Sequence, residues 1–74
     1  MTLNTLLEKL AQLMEIDLTE LTPMQPLSAF GTWDSLTKVS LLGIIASETR
    51  LSMTSDILER CETAQDIFNW IEAK

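Results

Sequence analysis

Apolar residues recur at intervals of three and four along the start of the chain: Leu3, Leu6, Leu7, Leu10 and Met14, widened by Ala11 and Leu13. That spacing is the stripe of an amphipathic helix. Thr2 stands where an N-cap belongs, and the stripe predicts a helix to about Glu15. From 16 to 34 the periodicity is lost. This stretch holds Pro23, Pro26 and Gly31, with apolar residues at Ile16, Leu18, Leu21, Met24, Leu27 and Phe30. A connection of this length is uncommon in a small domain unless it packs its own side chains or has a function. Its apolar residues are expected to lie against the core, with a short helical turn around Leu27 to Phe30.

A second helix is predicted from near Ser35 to near Arg50. Leu36, Val39, Leu42 and Ile45 or Ala46 form its expected inward face, broadened by Leu41 and Ile44. An arc this wide predicts contact with neighbours on several sides. Thr54 or Ser55 is placed to cap a short third helix through Arg60, with Ile57 and Leu58 inward. Thr63 and Asp66 resemble a capping box with Asp in place of Glu. They open a last helix whose apolar side is Ala64, Ile67, Phe68, Trp70 and Ile71. No repeat and no alternating strand pattern interrupts the series. The expected fold is all-α: a small bundle of three main helices and one short helix, in one domain spanning 1–74.

Composition narrows the function. At 46% hydrophobic residues the chain is globular rather than disordered. The net charge of -6 argues against nucleic acid and anionic membrane surfaces, and it suits partners with basic patches. No apolar stretch is long enough for stable membrane insertion, and Met1-Thr2-Leu3-Asn4 does not open a signal peptide. The expectation is a soluble cytoplasmic protein. Cys61 is the single cysteine, so no internal disulfide can form; a small core or half-buried residue is the favoured reading over a reactive thiol.

The chain has no histidine, which excludes a Ser-His-Asp triad, a Cys-His pair and a histidine metal site. Its eleven carboxylates are scattered without the spacing of a calcium loop, and they read as solvated outer faces. No catalytic and no metal-binding residue is assigned. One serine stands out by position. Asp34-Ser35-Leu36 places a hydroxyl at a helix start, where free N–H groups and the helix dipole favour a phosphate. Alone, the tripeptide reads more simply as an Asp N-cap followed by a tolerant first-turn residue, since helix starts often have this form.

The surrounding order changes its weight. A short amphipathic helix, a long packed loop ending in Gly-x-x-Asp-Ser-Leu, an apolar helix, a short helix and a closing amphipathic helix resemble the acyl carrier protein family over essentially the whole chain. The match runs through Asp34, Ser35, Leu36, Val39 and Leu41, less closely through Leu42, Ile45 and Glu48, and again through Thr63 to Ile71. The resemblance implies that Ser35 receives 4'-phosphopantetheine from coenzyme A through a separate phosphopantetheinyl transferase, with Asp34 and Leu36 as motif flanks. It implies a non-enzymatic carrier that holds acyl or aminoacyl groups as thioesters. Its partners would be a loading enzyme and a downstream acyltransferase or synthase, and a monomer would suffice.

Three features depart from the family pattern. Its second helix is usually rich in acids that dock basic patches, whereas Lys38 and Arg50 against Glu48 give Ser35–Arg50 a net of +1 here. Lys38 lies one turn beyond Asp34, within pairing reach. Gly43 sits inside a helix at a cost of about 1 kcal/mol against alanine, either for close packing or cargo room, or at a mildly unfavourable solvent-side position. Trp33 replaces the small or aliphatic residue common in fatty-acid-synthesis carriers; it looks like carriers of specialised pathways and also suits a loop anchor. Trp33, Lys38 and Val39 are the expected docking residues. A discrete carrier for a dedicated pathway is the preferred reading, ahead of a carrier of primary fatty acid synthesis. An unmodified helical interaction module is the alternative from another class.

Overall fold

The computed structural model describes residues 1–74 and contains four helices: α1 (Leu3–Met14), α2 (Ser35–Thr49), α3 (Ser55–Arg60) and α4 (Ala64–Glu72). Each begins where a side chain answers an orphaned backbone amide. Thr2, Asp34, Thr54 and Thr63 accept from Thr5, Thr37, Ile57 and Asp66 respectively. At α4 the reciprocal half of the box is also present, because Asp66 accepts from the Thr63 amide at 3.2 Å. The two longest helices end without glycine: Glu15 and Arg50 take left-handed conformations at φ 57° and 61°. No helix is long and apolar enough to cross a membrane.

α1 packs on α2 and α4, and α3 closes against α2. Leu6, Leu10 and Met14 meet Leu41 and Ile45 of α2, Leu58 of α3 and Ile67 of α4 in one core cluster. Leu27 enters the same cluster from the connection and is fully buried. The long connection is therefore part of the fold. Two short 3-10 turns, Leu18–Glu20 and Leu27–Ala29, organise it. The second matches the turn expected near Leu27 to Phe30. The first is held by Asp17, whose Oδ1 accepts from the Thr19 amide at 3.1 Å, while Glu20 reaches back to the Asp17 amide at 3.3 Å. The connection is also stitched to the α3–α4 junction. The Leu27 amide donates to the Glu62 carbonyl at 2.8 Å, and the Gln65 amide to the Pro23 carbonyl at 2.9 Å. Not every apolar residue of the connection turns inward. Leu21 and Leu27 are buried and Ile16 and Phe30 pack against the core, but Leu18 and Met24 are exposed.

The inward face of α2 differs from the one the spacing suggested. Thr37, Leu41 and Ile45 are buried, whereas Leu36, Val39 and Ala46 face outward. Both arcs of this helix are apolar, so the pattern alone does not orient it. Gly43 lies on the outer arc, and a Cβ added there meets nothing within 4 Å. Close packing is therefore not its reason. Gly43→Ala is expected to stabilise the fold by about 0.8–1 kcal/mol, read as a rise of roughly 4 °C or more in the thermal midpoint. A fall in the midpoint would show that the position needs a bare backbone.

Candidate functional site

The site begins with how the chain enters α2. The Trp33 amide donates to the Phe30 carbonyl at 3.1 Å, which turns the end of the connection. Asp34 is extended, and its Oδ1 accepts from the Thr37 amide at 2.9 Å. Thr37 also donates its hydroxyl to the Thr32 carbonyl at 2.8 Å. Thr37 is buried, so these two bonds fix the first turn of α2 to the end of the loop. The apolar pattern of α2 gave Thr37 no role. The only sequence signal was its place three residues after a capping Asp, and that position uses the backbone amide of any residue.

Ser35 is the first residue of α2 and is exposed. Its hydroxyl and its amide take part in no hydrogen bond with the protein. Nothing nearby activates the hydroxyl. The Asp34 carboxyl is held below its ordinary range by hydrogen bonding from Thr37, first from the backbone amide, so it stays ionised and is a poor base. Lys38 is committed elsewhere. Its Nζ lies 3.1 Å from Glu59 Oε1 on α3 and 5.7 Å from the centre of the Trp33 ring. This corrects the local Asp34–Lys38 pairing: Asp34 is used as a cap, and the ammonium crosses to α3. Lys9 and Glu48 form the second ion pair, at 3.9 Å, between α1 and α2.

The other flanks divide by burial. Trp33 is half-buried and packs against the core cluster, as a loop anchor should. Leu36 is 77% exposed and Val39 64% exposed, which is unusual for large apolar residues side by side. One helical turn apart, they form an uncharged apolar step immediately beside Ser35. Gly43 and Ala46 extend the same outward arc. Cys61 is half-buried on the α3 side. Its thiol donates to the Ile57 carbonyl at 3.4 Å, and burial, with Asp66 nearby, pushes it above its ordinary value. That agrees with an unreactive thiol.

The start of α2 thus presents an exposed hydroxyl at a helix tip with no base beside it. The family model for the phosphopantetheine attachment site matches residues 4–71, and the chain belongs to that family. The protein is thus a carrier that holds 4'-phosphopantetheine covalently, is not itself an enzyme, and works with a transferase and acyl-handling enzymes. A comparison with curated proteins returns no significant match. The residues at the start of α2 suit the group: the Ser35 amide is unpartnered, the position is exposed, and the dipole favours a phosphodiester by roughly 0.3–1 kcal/mol. When attached, the group supplies a long flexible arm ending in a thiol, on which acyl groups ride as thioesters.

Proposed function

We propose that Ser35 is the attachment point of the arm, flanked by Asp34 and Leu36, in a monomeric, cytoplasmic carrier of a dedicated biosynthetic pathway. The observation that carries the assignment is the exposed, unbonded and unactivated Ser35 hydroxyl at the start of α2, inside a chain of the attachment-site family. Asp34 caps the helix and holds the serine at its tip. Thr37 ties that tip to the connection, which fixes where the backbone of Ser35 stands for an incoming transferase. The cargo is an acyl, polyketide-type or aminoacyl group.

The preference for a dedicated pathway rests on the surface around the serine. Partners that recognise acidic helices would meet no such helix here. With Lys38 paired to Glu59 and Glu48 paired to Lys9, Arg50 is the one unpaired charge between Ser35 and Arg50. Recognition then falls to Leu36, Val39 and the exposed edge of Trp33, with Lys38 shaping which partners approach.

Incubation with coenzyme A and a phosphopantetheinyl transferase, followed by intact-mass analysis, tests the assignment. The wild type is expected to gain one phosphopantetheine, mapped by peptide mass to Ser35, and Ser35→Ala to gain none. An unmodified wild type, beside a carrier modified in parallel and with several transferases tried, would support the interaction-module reading instead. Protein isolated from its host with a long saturated chain on the arm would overturn the dedicated-pathway preference in favour of primary fatty acid synthesis.

A further inference from the structure

Nothing inside the fold accounts for a glycine at position 43. Its φ lies outside the left-handed region, so an L side chain fits the backbone there. A Cβ added to it meets nothing within 4 Å, so no neighbour in the chain requires a bare backbone. In a helix interior glycine is nevertheless a poor choice, because it loses the most backbone freedom on folding. Its surroundings are exposed and apolar. Leu36 and Val39 are 77% and 64% exposed on the Ser35 side of it, and Ala46 is exposed one turn beyond. The outer arc of α2 thus has bulk next to the serine and then a notch one residue wide, floored by helix backbone. The charges of α2 on either side, Lys38 and Glu48, are paired with Glu59 of α3 and Lys9 of α1. The notch is therefore open, apolar at its walls and uncharged.

We propose that Gly43 is the seat for a large apolar side chain of the phosphopantetheinyl transferase, and that it sets how closely that enzyme approaches α2. The proposal rests on Ser35 being the attachment point. The transferase must cover that serine to act on it. Gly43 lies about 12 Å further along the helix axis, at 1.5 Å per residue. A specific interface covers about 800 Å² on each partner, so a transferase centred on Ser35 also covers Gly43. An uncharged arc offers such a partner apolar area and no ion pair, and the notch offers a place where one bulky side chain is fully desolvated. That side chain enters between Val39 and Ala46 and rests on the helix backbone, as a knob enters a hole between packed helices. Any side chain at position 43 fills the space first. Folding and docking therefore make opposite demands: alanine suits the helix, and glycine suits the partner. Gly43 touches no reacting atom. It is a positioning residue, and its loss weakens the hold of the transferase on the carrier rather than the transfer step itself.

Initial rates of arm transfer from coenzyme A, with a phosphopantetheinyl transferase that modifies the wild type, test the seat. Gly43→Ala and Gly43→Leu are compared with Gln12→Leu, which adds similar bulk to an exposed position of α1. Helical spectra and thermal midpoints are recorded for each. Gly43→Ala is expected to melt above the wild type and yet to raise KM about threefold. Gly43→Leu is expected to raise KM about tenfold or more, with kcat within about twofold for both. Gln12→Leu is expected to match the wild type. A KM for Gly43→Leu within twofold of the wild type, a loss of kcat with KM kept, or a fall equalled by Gln12→Leu would overturn the seat and leave Ser35 as the attachment point. Sedimentation showing a wild-type dimer that Gly43→Leu breaks would also overturn it, and would assign the notch to a second copy of the chain. No transfer to the wild type, beside a carrier modified in parallel, would instead overturn the attachment point and the seat with it.

Discussion

Leu41→Ala is expected to lower the stability of the fold by about 2–5 kcal/mol, the range for removing a fully buried leucine side chain. Leu41 sits at the centre of α2, is fully buried, and shares its cluster with Leu6, Leu10, Ile45 and Leu58. The loss combines the transfer term for the missing carbons with the cavity left among side chains that have little freedom to collapse inward. A domain of this size holds only about 4–11 kcal/mol in total, so the variant should be close to unfolding at growth temperature. Urea denaturation followed by circular dichroism measures the effect, with Trp33 and Trp70 as fluorescent reporters of two different regions. The midpoint should fall while the slope is kept, because the same surface is exposed on unfolding. A loss below about 1 kcal/mol would be incompatible with Leu41 as a packed core residue.

Why Leu41 rather than Leu36 carries this weight was not legible in the sequence. For α1 and α4 the apolar stripe opposes a polar face, so periodicity both detects the helix and orients it. Leu6, Leu10 and Met14, like Ala64, Ile67 and Ile71, are buried where the stripe puts them. The caps were legible for a similar local reason. Thr2, Asp34 and Thr63 need only their own side chain and an amide a few residues on. In α2, Leu36, Val39, Gly43 and Ala46 satisfy helical spacing as well as Leu41 and Ile45 do. The choice between the arcs is made by tertiary contacts: Leu27 packs in from the connection, and Thr37 bonds the Thr32 carbonyl.

The site divides along the same line. Asp34-Ser35-Leu36 is contiguous, so both the serine and its cap could be read directly. The Lys38–Glu59 pair joins segments more than twenty residues apart, and local spacing offered Asp34 as the nearer partner. The structure instead uses Asp34 to cap the helix. That frees Lys38 to reach α3, which in turn leaves the outer arc of α2 almost without charge. The missing acidity of α2 and its exposed leucine and valine are thus two sides of one surface, and a partner suited to it must offer apolar area rather than a basic patch.

Leu36→Ala therefore separates function from stability, the reverse of Leu41→Ala. With its side chain 77% exposed, Leu36 contributes little to the folded state, and truncation should change stability by less than about 0.5 kcal/mol. On the proposed reading the same side chain is covered by the docked transferase, next to Ser35. Losing that burial is expected to cost about 1.5–2 kcal/mol, a roughly ten- to thirtyfold fall in kcat/KM for the transferase acting on the unloaded protein. Val39→Ala should give a smaller loss in the same direction, since fewer carbons are removed. Because little charge lies on this arc, the wild-type rate should vary only weakly between low and moderate salt, where a charge-steered encounter would slow steeply. The measurement is the initial rate of phosphopantetheine incorporation at subsaturating carrier across a salt series, with thermal midpoints recorded beside it. Rates within twofold of wild type for both variants would remove Leu36 and Val39 from the docking surface. A steep salt dependence would move recognition to the acidic residues of the connection, α3 and α4.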